Sequence, residues 1–215
     1  MRKVLFILLS LLVSTAALAA EPQDFQATAK TLVQDVGAAA WNVAQQHAVP
    51  LSNPTAQRVM AVFQRLEQGD ALKGVELVVT DLGTNDPEAA AMGSNRILVR
   101  YDFARRMSDD ALAFAIGHEL GHLRLHHLEG RVTTYLLAAS RQAPETSTAV
   151  VIAAATAAMD TEVQRQELEA DAFGVELATR AGFDAKRGLQ ESVGDTDADS
   201  THPSGSVRVL AQAQH

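Results

Sequence analysis

The chain has 215 residues, no cysteine and a formal net charge of −8 at pH 7. The acidic balance argues against nucleic acids and anionic membrane surfaces as primary partners, because both repel a negatively charged protein. The lack of cysteine excludes disulfide bonds, so packing or a bound metal must stabilise the fold. The length suffices for one domain with its own core.

The N-terminus has the composition of a secretory signal peptide. Two basic residues precede an apolar run from Val4 to Val13, and Ala17-Leu18-Ala19 supplies a small-x-small cleavage pattern. The apolar run is shorter than the roughly 20 residues that span a bilayer, which disfavours an uncleaved anchor. We therefore predict a signal peptide over residues 1–19 and a single catalytic domain over residues 20–215, exported and periplasmic.

The next third of the chain carries helical patterns followed by extended ones. Helical spacing covers residues 23 to about 47, and Asn53-Pro54 is typical of the start of a second helix, which should run to about Gly69. The segment Gly74–Asp81 is short, β-branched and bounded by turn residues, which predicts a strand. Two further short strands are expected around the turn at Gly93-Ser94-Asn95.

Helices are predicted for most of the remaining chain. Ser108 and the acidic residues after it are expected to cap a long helix that ends near Gly130. Residues 131–161 are alanine-rich and are divided by Pro144. The apolar stretch 149–159 is too short to span a bilayer, so we expect it to pack in the core. A flap that touches membrane or substrate is the alternative.

A separate helix is predicted over residues 164–182. After Phe183 the chain is polar and resembles a loop, and a last short helix should have Pro203 in its first turn. Together the elements predict the α+β class, in the form of a mostly helical single domain with a small β-sheet.

The sequence FAIGHELGHLRL, residues 114–125, places two histidines and a glutamate in an otherwise apolar helix. His118 and His122 are four residues apart, so their rings project from one face and can bind one ion. Zinc suits neutral imidazole and tetrahedral geometry, although nickel or cobalt also fits these ligands. Glu119 lies on the adjacent flank, where it could take a proton from a metal-activated water. This H-E-x-x-H arrangement is typical of metallopeptidases.

A catalytic zinc site needs a third protein ligand. Glu167 and Asp171 are one helical turn apart in ELEAD and face the same way. Glu167 could complete the site, although surface ion pairing is an equal alternative, and Asp171 could accept the second ring N–H of a ligand histidine. Glu169 is expected to face solvent, and His126 and His127 are interpreted as packing or solvated residues.

Four segments, in the right order, resemble the HtpX and CAAX-prenyl-protease family of zinc metallopeptidases. They are AAAMGSNRILV, SDDALAFAIGHELGHLRLHH, QRQELEADAFGVELATRAGFD and THPSGSVR. The resemblance covers roughly Val75–Leu210 and is closest to small exported bacterial members similar to BepA and LoiP. It implies a zincin-like fold, one zinc ion (Zn2+) per chain and a sheet edge that borders the active-site helix.

The resemblance also implies roles for single residues. His118, His122 and Glu167 would bind zinc, Glu119 would be the general base, and Asp171 would hold a ligand histidine.

Two C-terminal residues of the resemblance, His202 and Arg208, would lie near the metal as catalytic residues. The histidine at position 202 could occupy the fourth zinc position and hold the enzyme latent. From the sequence alone it is a helix-capping loop residue, or it could polarise the scissile carbonyl. A substrate would add as a strand along the edge formed by Ala89, Ala90, Ala91 and Met92.

The resulting prediction is a zinc-dependent endopeptidase that clears unfolded or misfolded exported proteins of the cell envelope. Its partners would be polypeptides, and no nucleic acid is expected. A chaperone-like binding protein with a structural or latched zinc site is the main alternative. A protease with peripheral membrane contact through residues 147–159 is the third. The sequence does not indicate an oligomeric state.

Overall fold

The computed structural model describes residues 22–67, 73–83, 87–143, 146–194 and 202–213. The expected signal peptide, residues 1–19, lies outside these ranges and remains a prediction. Pro144, which was expected to divide the alanine-rich region, also lies outside them.

Helices dominate the described structure, and the strands form one small sheet. The strands are β1 (Glu76–Thr80), β2 (Ala89–Met92) and β3 (Arg96–Arg100). The helices are α1 (Pro22–Gln46), α2 (Pro54–Leu66), α3 (Tyr101–Arg106), α4 (Asp109–Arg124), α5 (His127–Ser140), α6 (Thr148–Arg180), α7 (Ala185–Val193) and α8 (Gly205–Gln212). The α+β class in a single domain is therefore confirmed.

The sheet has the strand order β1-β3-β2. Strand β1 is parallel to β3, and β2 is antiparallel to it, with Ala90 opposite Leu98. Gly93 in the β2–β3 turn has a φ of 63°, a left-handed conformation that favours glycine. Strand β2 is thus an edge strand, as the resemblance implied, and the turn lies where the sequence pattern predicted it.

Side-chain caps start two of the helices where the sequence predicted them. Asn53 accepts a hydrogen bond from the Thr55 N–H at the start of α2, and Ser108 accepts one from the Ala111 N–H at the start of α4. Such caps satisfy backbone donors that lack a partner within the helix.

The predicted continuation of the α4 helix to Gly130 is wrong. Helix α4 ends at Arg124, and His126 has a φ of 55°, which is left-handed for a residue other than glycine. Helix α5 begins at His127 in a new direction. The break lets Val132 and Leu136 pack against the apolar face of α1, and neither glycine nor proline marks it in the sequence.

Helix α6 is one continuous helix of 33 residues, not the two segments that the sequence indicated. Val151 and Ala155 pack on Tyr135 and Ala139 of α5, whereas Val150 is exposed. The apolar stretch therefore packs in the core along one stripe only. Within the described ranges, no helix has the length and apolar character needed to cross a membrane.

Two details near the C-terminus also differ from the prediction. Helix α7 lies where the chain after Phe183 was expected to form a loop, and Asp184 caps it by accepting a hydrogen bond from the Arg187 N–H. Pro203 precedes the N-cap Ser204 of α8 and is not part of the first turn.

The main core lies between the sheet, α2, α4 and α6. Its centre includes Ile97 and Val99 of β3 and Leu112, Ile116 and Leu120 of α4, all almost completely buried. Because Phe114 on the opposite side of α4 is buried as well, this helix is enclosed nearly all round. The two histidines of α4 therefore lie inside the fold, as the apolar pattern predicted.

Candidate metal centre

Small residues bring α4 and α6 into direct backbone contact. A Cβ built at Gly117 would lie 3.0 Å from the Cα of Gly174, and one at Gly121 would lie 3.0 Å from the Cα of Ala170. A side chain at either position would have to displace the facing backbone by a few tenths of an ångström. The two backbones approach closely enough for short acidic side chains of α6 to reach the histidines of α4.

The three predicted ligands meet at this crossing. The Nε2 atoms of His118 and His122 are 3.1 Å apart. Glu167 places Oε2 3.3 Å from Nε2 of His118 and Oε1 3.3 Å from Nε2 of His122. All three residues are buried, and one ligand atom from each lies within 4.8 Å of the others, so the group could hold a metal ion.

The hydrogen bonds around the group fit a cation. Nδ1 of His118 lies 2.9 Å from a carboxylate oxygen of Asp171, so the ring donates there, and in the neutral ring the lone pair is on Nε2. The buried Oε2 of Glu167 has no hydrogen-bond partner in the described part of the chain. Lone pairs of imidazole and carboxylate that face each other in the interior suit a divalent ion. Two nitrogens and one carboxylate oxygen are a ligand set that zinc accepts.

The charges of the group follow from burial and from contacts between its members. Burial opposes the charged form of His118, but the hydrogen bond with Asp171 and the close contact with the Glu167 carboxylate outweigh it and raise the pKa of this histidine to about 10. Burial lowers the pKa of His122 to about 4. At Glu167, the close contacts with the two histidines, each at 3.3 Å, overcome the effect of burial and hold the pKa below its ordinary range. The carboxylate therefore stays negative inside the protein.

An arginine that sequence reasoning missed holds the glutamate. Arg131 of α5 donates from Nη2 to Oε1 of Glu167 at 2.8 Å and from Nε to Oε1 of Gln166 at 2.6 Å. This contact fixes the carboxylate from the side of α5. The sequence carries no signal for this contact, because the position of Arg131 relative to Glu167 depends on the break after α4.

Asp171 is completely buried and is held by Arg208 of α8. Arg208 donates from Nε to Oδ2 at 2.8 Å and from Nη2 to Oδ1 at 2.6 Å. Its Nη2 is 3.5 Å from Nδ1 of His118. Arg208 therefore lies near the candidate ligand His118 and reaches it mainly through Asp171.

The side chain of Glu119 extends from α4 to the edge strand β2. Its Oε2 accepts a hydrogen bond from the Ala91 N–H at 2.6 Å, and burial raises the pKa of this carboxyl. A cleft of about 310 Å³ opens beside it and is lined in part by Ala89, His118, His202 and Arg208. Strand β2 thus borders helix α4, in agreement with what the resemblance implied.

His202 also reaches the predicted ligands. Its Nε2 is 3.3 Å from Oε2 of Glu167, while its side chain remains 49% exposed. The ring is exposed on one side and contacts Glu167 on the other. It therefore lies at the boundary between the candidate metal centre and the cleft.

The structure separates the two neighbouring histidines and adds partners for His127 and Glu169. His126 is exposed, as expected, but His127 is buried and its Nδ1 lies 2.9 Å from Nδ1 of His122. Glu169 does not face solvent alone, because it forms ion pairs with Arg165 and with His127. The helix break at His126 brings His127 to this position, which helical spacing could not indicate.

Comparison with known proteins identifies the family. The sequence model of peptidase family M48 matches residues 54–214. The chain belongs to peptidase family M48. The match extends from α2 to the end of α8 and includes every residue of the site described above. A search of curated proteins finds no match.

Membership of M48 agrees with the resemblance noted in the sequence and makes the chain a metallopeptidase that acts on polypeptides. M48 peptidases generally use zinc, and the buried group of His118, His122 and Glu167 could bind such an ion. The likeness to BepA and LoiP remains a prediction.

Proposed function

We propose that this M48 peptidase is a zinc-dependent endopeptidase of the H-E-x-x-H-plus-glutamate type. In this proposal His118, His122 and Glu167 bind one zinc ion, and Glu119 acts as the general base. One observation carries it: ligand atoms of two histidines from α4 and a glutamate from α6 lie within 4.8 Å of one another in the interior. Three protein ligands with one open position are typical of catalytic zinc.

Bound zinc would acidify a water molecule and polarise the scissile carbonyl. The protein's own contribution centres on Glu119, which borders the cleft and would take the proton of the attacking water and pass it to the leaving amine. The raised pKa of Glu119 suits a group that must both accept and release a proton. Asp171 would keep the proton of His118 on Nδ1, so that Nε2 faces the metal.

The edge of β2 that faces away from β3 supports binding of the substrate as an added strand, because Ala89 at the start of this strand lines the cleft. The Arg100 N–H bonds to the Glu88 carbonyl at 2.8 Å, and in an antiparallel ladder this means that the backbone groups of Ala89 and Ala91 face away from β3. Because Glu119 already accepts the Ala91 N–H, a substrate backbone would pair with Ala89 and with the carbonyl of Ala91. Main-chain pairing gives affinity with little sequence preference.

Loose sequence preference and the predicted signal peptide together suggest the substrates. We infer that the enzyme, as a single catalytic domain over residues 20–215, acts in the periplasm on unfolded or misfolded exported proteins. Folded proteins would be spared, because a peptide bond must be extended to lie along a strand edge.

The direct test compares the protein with its Glu119→Gln variant on an unfolded polypeptide such as casein. We expect Glu119→Gln to bind zinc normally and to cleave roughly 10²–10⁴-fold more slowly, because only proton transfer is lost. Glu176→Gln, at an exposed position of α6, is the matched control and should cleave at the normal rate. If the zinc-loaded protein cleaves no faster than Glu119→Gln, the proposal fails.

The position of His202 favours one alternative, a chaperone-like protein whose metal site is latched. Its contact with Glu167 would let the ring occupy the fourth position of the metal. His202→Ala distinguishes the two functions. Faster cleavage of casein by this variant indicates a latched protease, whereas unchanged inertness with retained polypeptide binding indicates a binding protein.

A further inference from the structure

The two predicted ligand histidines are held by different chemical groups. His118 donates from Nδ1 to the carboxylate of Asp171. His122 instead has its Nδ1 2.9 Å from Nδ1 of His127. His127 is 3% exposed, and its Nε2 lies 3.3 Å from Oε2 of Glu169. The partner of His122 is therefore a second imidazole, whereas the usual partner of a metal-binding histidine is a carboxylate, a backbone carbonyl or water.

The contacts fix where the protons lie. If Nε2 of His122 faces a metal, its proton must be on Nδ1, because a neutral imidazole carries only one. Nδ1 of His127 must then accept that proton in a hydrogen bond, which leaves the proton of His127 on Nε2. This N–H points at the carboxylate of Glu169. Both rings are neutral in this arrangement, and every donor meets an acceptor.

The break between helices α4 and α5 produces this contact. In a continuous helix His127 would lie about 140° around the axis from His122, on a different face. The left-handed residue His126 ends α4 and starts α5 in a new direction, which returns His127 to the outer nitrogen of His122. A left-handed conformation is unfavourable for histidine, so the surrounding packing must maintain it.

We propose that His127 is a positioning residue for the metal, which fixes the tautomer and the ring orientation of His122 and is itself oriented by Glu169. The inference rests on the proposed zinc site and extends it to a residue outside the H-E-x-x-H motif. It also makes the two ligand histidines unequal, because the charged Asp171 supports one and a neutral ring supports the other.

Zinc affinity of the whole protein, measured by competition with a chromophoric chelator, tests the role of His127. We expect His127→Leu to weaken zinc binding roughly 10–100-fold, the usual loss when the partner of a ligand histidine is removed. His127→Asn places an amide oxygen near the position of Nδ1 and should restore most of the affinity. His47→Leu removes an exposed histidine that is not part of the site and controls for adventitious zinc binding. The d–d spectrum of the cobalt-loaded protein should change in the leucine variant alone.

The outcomes separate this inference from the proposed function. A protein that binds no zinc at all refutes the zinc site itself. Tight binding by the protein and equally tight binding by His127→Leu overturns only the role of His127, as does an asparagine variant that is no better than the leucine variant. Unfolding curves of the metal-free variants show whether each one folds.

A measurement without substitution covers the case in which His127→Leu does not fold. Nitrogen-15 NMR of the zinc-loaded protein reports the tautomer of each histidine. We expect His127 to be protonated on Nε2 and bare on Nδ1, and His122 to be protonated on Nδ1. A proton on Nδ1 of His127 overturns the inference.

Discussion

Gly174 of α6 lies directly against the backbone of His118. A Cβ built at Gly174 would fall 2.8 Å from the backbone nitrogen of His118 and 3.1 Å from the carbonyl oxygen of Phe114. Real Cβ atoms do not approach backbone atoms so closely, so the separation of α4 and α6 at the metal site depends on a missing side chain. The distance from Glu167 to the histidines depends on the same feature.

Gly174→Ala should therefore damage both the fold and the site. Overpacking of a tight core typically destabilises a protein by about 1–3 kcal/mol, and separating the helices should weaken zinc binding as well. Urea unfolding of the metal-free protein and zinc competition measure the two effects. Gly130→Ala is the matched control, because its Cβ would meet only the flexible amide of Gln166 at 3.3 Å. Wild-type stability in Gly174→Ala would contradict the packing argument.

Replacing Glu167, the predicted third ligand, should abolish the stabilisation of the protein by zinc. A ligand that binds only the folded state stabilises it by about 2.7 kcal/mol at a concentration 100 times its Kd. A chelator should thus lower the Tm of the zinc-loaded protein and leave Glu167→Ala unchanged. The exposed Glu176 lies on the same helix, and Glu176→Ala should respond like the wild type. A full chelator effect in Glu167→Ala would show that this carboxylate is not a ligand.

Arg208→Ala should strongly destabilise the protein even without metal. The substitution leaves the completely buried Asp171 without both hydrogen bonds of its arginine, and breaking a buried ion pair costs about 3–5 kcal/mol. The exposed Arg187 is the control, and Arg187→Ala should change the free energy of unfolding by less than about 0.5 kcal/mol. Equal urea midpoints for the two variants would contradict this role of Arg208.

A pH-dependent contribution to stability is expected at the junction of β3 and α3. The hydrogen bond from Arg100 lowers the pKa of Asp102 to about 2, and Arg106 adds to the effect. Because the folded pKa is below the value of about 3.9 in the unfolded chain, this stabilisation is complete above pH 4 and is lost as the pH falls towards 2. The stability gap between the wild type and Asp102→Asn should shrink across that window in urea titrations. A constant gap from pH 5 to pH 2 would contradict the assignment.

Local features of the fold could be predicted because they depend on residues close in the chain. The cap at Ser108 reaches only to Ala111, and the common face of His118 and His122 follows from one turn of helix. The two strands of the hairpin followed from the short apolar segments around Gly93, and the resemblance implied that the first of them is an edge strand. These signals place the H-E-x-x-H motif on a buried helix beside a small sheet.

Features that depend on tertiary contacts could not be predicted in the same way. The left-handed His126 has no glycine or asparagine to mark it, so the contacts of His127 and Arg131 were missed. Helix α7 contains Gly188, which disfavours helix, but this glycine lets α7 pack closely on Asp110 at the start of α4. Packing thus overrides local propensity there.

The sequence did contain a signal against the incorrect division of α6 into two helices. Residues 148–173 contain neither glycine nor proline, so nothing interrupts helix α6 between its apolar and acidic parts. The change of composition suggested two helices, whereas the lack of a breaker favoured one. The continuity of α6 is important for the site. The apolar stripe that packs against α5 and the acidic residues that face α4 belong to this one helix.

The most direct test of the account is X-ray absorption spectroscopy of the zinc-loaded protein, with zinc counted per chain. The account predicts one tightly bound zinc ion per chain with two imidazole nitrogens at about 2.0–2.1 Å and carboxylate oxygen at about 2.0–2.2 Å. In Glu167→Ala that ion should be lost. A zinc environment without two imidazoles, or one that persists unchanged in Glu167→Ala, would contradict the convergence of α4 and α6 on a single metal ion.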